Sequence, residues 1–69
     1  SVIGKKAIVV EKIDWTTGTG QVKVDGEVWS AKSNEQSSIS EGSEVIIESV
    51  DGVKLLVKAL STVSNTATN

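Results

Sequence analysis

Residues 20–33 alternate between apolar and polar side chains with a period of two. That period is the side-chain repeat of a β-strand, in which successive residues point to opposite faces. Asp25 and Gly26 interrupt the alternation near its centre. An Asp-Gly pair favours a two-residue hairpin turn, because both turn residues must adopt positive φ. The sequence therefore predicts a β-hairpin in this stretch.

A two-residue loop fixes which residues of the hairpin lie opposite each other. Val24 is predicted to face Glu27, and Val22 is predicted to face Trp29. Trp29 then shares one face of the hairpin with Val22 and Ala31. Because Trp29 is the largest apolar side chain in this element, we expect it to be buried as the anchor of the core.

Three further strands are predicted from runs of β-branched and other apolar residues. The first, residues 7–13, contains four successive apolar residues, which indicates burial on both faces for part of its length. Residues 43–49 and 53–59 are predicted to form the fourth and fifth strands. Between the hairpin and the fourth strand, residues 34–42 are polar except for Ile39, so we interpret this segment as a loop.

The turn between the last two strands has two possible registers. A two-residue Asp51-Gly52 loop would place lysines and apolar residues on the same face. A three-residue loop of residues 50–52 pairs Ile47 with Leu55 and places the large apolar side chains of both strands on one face. The four large apolar side chains on that face would be Val45, Ile47, Leu55 and Val57. We therefore predict the three-residue loop, with Gly52 at positive φ in a bulge after a type I turn.

Five short strands, short turns and no substantial helix are typical of a small closed barrel. We predict an all-β, five-stranded Greek-key OB-fold barrel for residues 1–60, with an SH3-like barrel as the alternative. Ile39 is expected to plug one end of this barrel. Residues 61–69 are rich in Ser, Thr and Asn and are predicted to form a flexible C-terminal tail.

The composition narrows the chemistry that this domain can perform. The 69-residue chain contains no Cys and no His, which excludes a disulfide framework and a Cys/His zinc site. Without His, the usual base that activates a serine nucleophile is missing, and no Ser–Lys spacing singles out a dyad. The net charge of -2, the lack of Arg and the two aromatic residues argue against nucleic-acid binding. We predict a domain that is not an enzyme and binds no cofactor.

The second tryptophan, Trp15, lies in the turn-rich connection at residues 14–19, between the first two strands. It has no periodic apolar partners in the sequence. A Trp in this position either caps one end of the barrel or is exposed for recognition, because loops on rigid scaffolds carry function and Trp is enriched at interface hot spots. Both interpretations stay open, and we predict that Trp15 is substantially exposed.

The Gly-Glu-x-Trp-x-Ala motif at residues 26–31, together with the surrounding β pattern, resembles the soluble C-terminal domain of the NfeD family. The resemblance covers about residues 4–58 and departs at residues 14–19, where the family's Leu-x-Pro-x-Gly turn is absent. The matching positions are Gly4, Ala7, Gly20, Val22, Val24, Gly26, Glu27, Trp29, Ala31, Ser33, Ile39, Gly42, Val45, Ile47, Val50, Gly52, Leu55 and Val57.

The resemblance implies a soluble OB domain in a larger protein that is anchored in the cell membrane by a segment absent here. It implies that this domain lies on the cytoplasmic side. Family members are usually encoded beside a stomatin- or flotillin-like membrane scaffold protein, so we predict a non-catalytic domain that docks such a protein or itself. Two alternatives stay open: an OB-type binder of nucleic acid or oligosaccharide, and the accessory domain of a longer membrane-bound serine protease.

The predicted binding surface is the loop after the first strand together with the adjoining face of strands two and three. OB barrels commonly bind ligands there. The candidate partner-binding residues are Trp15, Thr16, Thr17, Lys23 and Val28.

Overall fold

The computed structural model describes residues 1–60 and contains five β-strands joined by turns and one longer loop. The strands are β1 (Lys6–Asp14), β2 (Thr19–Val24), β3 (Glu27–Ser33), β4 (Glu44–Asp51) and β5 (Lys54–Ala59). They close into a barrel in the order β1-β2-β3-β5-β4, and residues 1–60 contain no helix. The predicted all-β barrel is confirmed, and its strand order is OB-like. The predicted tail, residues 61–69, lies outside the described residues.

The β2–β3 hairpin follows the prediction from its turn chemistry. Asp25 and Gly26 have φ values of 52° and 79°, the two positive angles that a two-residue hairpin turn of this type requires. Val24 lies opposite Glu27, and the register continues to Trp29 opposite Val22. The local sequence therefore determines both the turn and the strand pairing.

The β4–β5 hairpin differs from the prediction in its loop and its register. Asp51 lies opposite Lys54, so the loop consists of Gly52 and Val53 alone, and the predicted three-residue loop is wrong. The predicted pairing of Ile47 with Leu55 is also wrong, because Ile47 lies opposite Val57. Gly52 has a φ of 64°, so its predicted positive φ is confirmed.

A β-bulge explains how the predicted apolar face survives in the different register. The pairing between β4 and β5 shifts between Ile47 and Ser49, which reverses the inward and outward alternation at that point. Val45, Ile47, Leu55 and Val57 are consequently all buried, as the sequence pattern required. The binary pattern predicted the buried face correctly but could not locate the bulge that produces it.

Only one face of strand β1 is buried, whereas the sequence indicated burial of both faces for part of the strand. Ala7, Val9 and Ile13 are buried, whereas Ile8 is 44% exposed. In the closed barrel one face of β1 points to the interior and the other points outward, so the run of apolar residues does not lie between two layers. The expected burial of both faces is therefore wrong for Ile8.

Ile39 and Trp29 contribute to the core to different degrees. Ile39 is buried and pairs with Ile13 through two backbone hydrogen bonds of 2.9 Å, so it plugs one end as predicted. Trp29 is only half-buried and packs against the edge of the core, so its predicted role as a fully buried anchor is wrong. Strand β3 pairs with β5 only from Ala31 to Ser33, so Trp29 has no β5 residue beside it.

Gly20 is a position where β1 and β2 approach too closely for a side chain. It is buried, with a φ of 154°, and a Cβ atom there would lie 2.7 Å from both the Cα and the Cγ1 of Ile13. Glycine removes that clash because it has no Cβ. This close approach sets the position of the β1–β2 loop, which carries Trp15.

Candidate functional site

The β1–β2 loop, residues 14–19, is held in one shape by its own hydrogen bonds. We call it the Trp15 loop. The Asp14 carboxylate accepts hydrogen bonds from the Thr16 N–H at 3.0 Å and from the Thr16 hydroxyl at 2.6 Å. The Gly18 N–H donates to the Asp14 carbonyl oxygen at 2.8 Å. These bonds surround Trp15 and fix the backbone from which its side chain projects.

A lysine from another part of the chain ties the Trp15 loop to the β4–β5 hairpin. Lys54 Nζ donates a hydrogen bond of 2.7 Å to the Gly18 carbonyl oxygen, and this contact is partly buried. The same hairpin is joined to β3 by an ion pair between Asp51 and Lys32. The loop, the hairpin and the outer face of β3 are therefore linked by contacts between distant positions in the sequence.

The electrostatics of the loop and hairpin favour ionised carboxylates. Hydrogen bonds from the Thr16 side chain, and then from its backbone, hold the pKa of Asp14 below its ordinary value. The hydrogen bond and the positive charge of Lys32 lower the pKa of Asp51 in the same way. Both contacts are therefore fully formed at neutral pH.

Trp15 itself is 45% exposed and does not belong to the hydrophobic core. This confirms the predicted exposure and disfavours the capping interpretation. Thr16 and Thr17 are exposed beside it. An ordered loop that exposes a large aromatic side chain has the features of a protein-binding hot spot, because a rigid aromatic loses little conformational entropy on binding.

The structure does not bring all five candidate residues together. Lys23 and Val28 lie directly opposite each other near the Asp25-Gly26 turn, and both are exposed. Strand β2 begins at Thr19, and Lys23 lies four positions further along the strand, which corresponds to ~13 Å. Trp15, Thr16 and Thr17 therefore form one contact region, and Lys23 and Val28 form a second one.

Sequence reasoning missed several exposed residues near these regions. Val53 is 85% exposed at the tip of the β4–β5 hairpin, and the incorrect register had assigned it to a strand. The contact of Lys54 with the Trp15 loop was not predicted. The exposed Ile8 was assigned to the core. The correct loop position would have revealed Val53, but no local signal predicts the Lys54 contact.

Two depressions mark the surface of the described residues. A groove of about 600 Å³ lies between the 34–43 loop and the start of β4, and its charged lining residues are Glu35 and Glu44. A smaller depression of about 200 Å³ lies beneath the Trp15 loop, between Gln21, Ser30 and Lys54. Within residues 1–60, no cluster of acidic side chains is arranged to hold a metal ion.

The comparison with protein families decides what kind of domain this is. The model described as "NfeD-like C-terminal, partner-binding domain" matches residues 1–58. The chain belongs to the NfeD family. The NfeD resemblance of the sequence is thereby confirmed, and the matched region includes all five strands except the last residue of β5. The comparison with curated proteins gives no match.

Two solved structures are similar to this NfeD domain in both fold and sequence. The C-terminal domain of a stomatin operon partner protein from Pyrococcus horikoshii is 33% identical, with a TM-score of 0.78. That match covers 88% of this chain and 91% of the other. The second is the soluble domain of a Corynebacterium glutamicum membrane protein implicated in the regulation of membrane protease activity. It is 32% identical, with a TM-score of 0.75, over 84% of this chain and 90% of the other.

The Corynebacterium structure is the soluble domain of a protein named as a membrane protein, and the Pyrococcus structure is a C-terminal domain. In the part of the chain that the structure describes, no helix is long and apolar enough to cross a bilayer.

Proposed function

We propose that this chain is a non-catalytic docking domain of a membrane-anchored protein and that its Trp15 loop binds a stomatin- or flotillin-like scaffold protein. The observation that carries the proposal is the exposed Trp15 on a loop held by hydrogen bonds at Asp14 and Gly18. The family's description as a partner-binding domain supports a protein ligand. The name of the Pyrococcus protein, a stomatin operon partner, supports the class of scaffold.

The two contact regions offer different side chains to the partner in this proposal. The Trp15 loop, with Thr16 and Thr17 at its rim, supplies the aromatic anchor of the interface. Lys23 and Val28 form the second region at the far end of the β2–β3 face. We place the domain on the cytoplasmic side of the membrane, as the family resemblance implies.

Trp15→Ala tests the proposal. Removal of a hot-spot Trp should weaken binding to the stomatin-like protein of the same genome by ~2 kcal/mol, or roughly 30-fold in Kd. The melting temperature should change little, because surface substitutions usually alter stability by about 0.5 kcal/mol or less. Ile3→Ala is the matched control, since Ile3 is also an exposed apolar residue but lies outside the loop.

Calorimetric titration and thermal melting separate the possible outcomes. Weak binding by Trp15→Ala with normal melting supports the loop as the docking site. Early melting with normal binding would show that Trp15 serves stability and that the partner binds elsewhere. An equal loss of binding in Ile3→Ala would show that the loss is not specific to the Trp15 loop and would contradict the proposal.

A further inference from the structure

A row of outward side chains crosses three adjacent strands of the barrel. Ile8 on β1 lies opposite Glu44 on β4 and opposite Lys23 on β2. All three residues are exposed, whereas the strand residues beside them, such as Val9 and Val22, are buried. Their side chains therefore project from the same outer surface. We call Glu44, Ile8 and Lys23 the outer row.

The two charges of the outer row have no ion-pair partner among residues 1–60. The ion pairs in that part of the chain join Lys5 to Asp25 and Lys32 to Asp51. Glu44 and Lys23 lie on the strands on either side of Ile8, each at an interstrand spacing of ~5 Å. The row thus has an acid, an exposed apolar residue and a base in order.

We propose that the outer row is a self-association surface and that its occupant is a second copy of this chain. The argument is charge complementarity under twofold symmetry. Consider a twofold axis that lies in the interface between the two copies and runs parallel to β1 at Ile8. This axis brings the Ile8 side chains of both copies together. Glu44 of each copy then faces Lys23 of the other, which gives two ion pairs around one apolar contact. An axis along the row would place Glu44 against Glu44.

The pattern continues by one strand on each side with the same symmetry. Val28 lies opposite Lys23 and is 54% exposed. Leu60 lies beside Glu44, and its N–H donates to the Glu44 carbonyl oxygen at 3.1 Å. The order across the surface is apolar, acidic, apolar, basic, apolar. A second copy related by the axis along β1 meets this pattern with opposite charges aligned.

The geometry also predicts how strong the association is. The outer row spans three strands, or ~10 Å, so the contact area belongs to the small class below ~1,200 Å² that is typical of transient complexes. We expect a Kd on the order of 0.1–1 mM for the free domain. This surface leaves the Trp15 loop uncovered but includes Lys23 and Val28 of the second contact region. The dimer therefore does not rest on the Trp15 loop binding a scaffold protein, although it would cover that second region.

Lys6 provides a test of the axis itself. It lies two residues before Ile8, is exposed, and shares the outward face of β1. An axis along β1 brings Lys6 of both copies toward each other, where like charges repel. Lys6→Gln should therefore tighten the dimer by ~2-fold to 5-fold at low salt. A different axis gives no such gain.

The decisive experiment is a charge exchange measured by sedimentation velocity at low salt, over roughly 0.05–2 mM protein. Glu44→Lys and Lys23→Glu should each abolish self-association, because each variant places like charges against each other. A 1:1 mixture of the two variants should restore dimers, since every charge of the row then meets an opposite one. Glu48→Lys and Lys58→Glu are the controls: both sites are exposed, lie outside the row and change the net charge equally.

Dimers of the original chain and of the mixture, with monomers of both single variants, support the proposal. A chain that is monomeric throughout, single variants that dimerise normally, or a mixture that stays monomeric would overturn it. Loss of dimers in the controls as well would reveal a general charge effect and would overturn it too. If a charge variant fails to fold, Lys6→Gln still discriminates: a tighter dimer supports the axis along β1, and an unchanged dimer overturns it.

Discussion

Gly20→Ala is the substitution for which the structure gives the sharpest forecast. Gly20 is buried on β2, and an added Cβ would lie 2.7 Å from the Cα and the Cγ1 of Ile13. The Cγ1 belongs to a side chain that can rotate, but the Cα belongs to the backbone of β1. Alanine at this position therefore forces β1 and β2 apart instead of causing a local side-chain adjustment.

Two effects contribute to the expected loss of stability. A positive φ at a residue with a Cβ costs ~1–3 kcal/mol, and Gly20 has a φ of 154°. Overpacking against atoms that cannot move aside typically adds ~1–3 kcal/mol. The sum of ~2–6 kcal/mol is comparable to the whole free energy of unfolding of a small domain, which begins at ~5 kcal/mol. In a domain of this size each kcal/mol lowers the melting temperature by ~4–8 °C.

Gly4→Ala is the matched control. Gly4 also has a positive φ, 88°, but no atom lies within 4 Å of its added Cβ. It should cost only the conformational part, ~1–2 kcal/mol. Thermal and urea melts followed by circular dichroism would compare the two variants. Equal destabilisation by Gly20→Ala and Gly4→Ala would refute the close approach of β1 and β2 at this position.

Three further predictions concern the loop, the hairpin and pH. Lys54→Met keeps the aliphatic stem but removes a hydrogen bond worth ~1 kcal/mol, so amide hydrogen exchange in the Trp15 loop should accelerate ~5-fold. The control Lys58→Met should leave the exchange rates unchanged. Unchanged exchange in Lys54→Met would contradict a stabilising role for the Lys54–Gly18 hydrogen bond. Gly52→Val should cost ~1–2 kcal/mol in a urea melt because φ at Gly52 is 64°, and Lys58→Val should be nearly neutral; matching effects would contradict the hairpin geometry. The lowered pKa values of Asp14 and Asp51 mean that their stabilisation is present above the unfolded value, 3.8, and is lost as pH falls through the lower folded values. Replacement of both by Asn should therefore reduce the loss of stability as the pH falls from about 5 through the lowered folded pKa values, and an unaltered pH profile would contradict this prediction.

The elements that could be predicted from the sequence are those with local causes. Asp25 and Gly26 both favour the positive φ angles of a two-residue hairpin turn, so these two residues were enough to predict the β2–β3 register. The β4–β5 register depends on a bulge between Ile47 and Ser49, which forms because it restores burial of the strand around it. An alternating pattern carries no signal for a bulge between Ile47 and Ser49, so the requirement for one apolar face led to the three-residue loop instead.

The candidate site was predictable in part for the same reason. Trp15 has no apolar periodicity around it, and its exposure follows from that. The hydrogen bond from Lys54 spans 36 positions in the sequence, and only the closed barrel creates it. Trp29 was expected to be buried from its alternation, but alternation gives the face of a strand and not its neighbours. Without β5 beside it the indole is only partly buried, and its Nε1, which is itself buried, has no hydrogen-bond partner among the described residues.

The bond between Lys54 and Gly18 has a consequence for how this surface can change during evolution. Its acceptor is a main-chain oxygen, which every amino acid supplies, and its donor comes from a different hairpin. The identities of Trp15, Thr16 and Thr17 can therefore be exchanged without removal of that support. Trp15 can therefore vary without loss of the loop's hydrogen bonds, whereas Thr16 has both roles because its hydroxyl donates to Asp14. A lineage can acquire a new binding partner through substitutions at the loop tip while it keeps the frame that holds the loop in place.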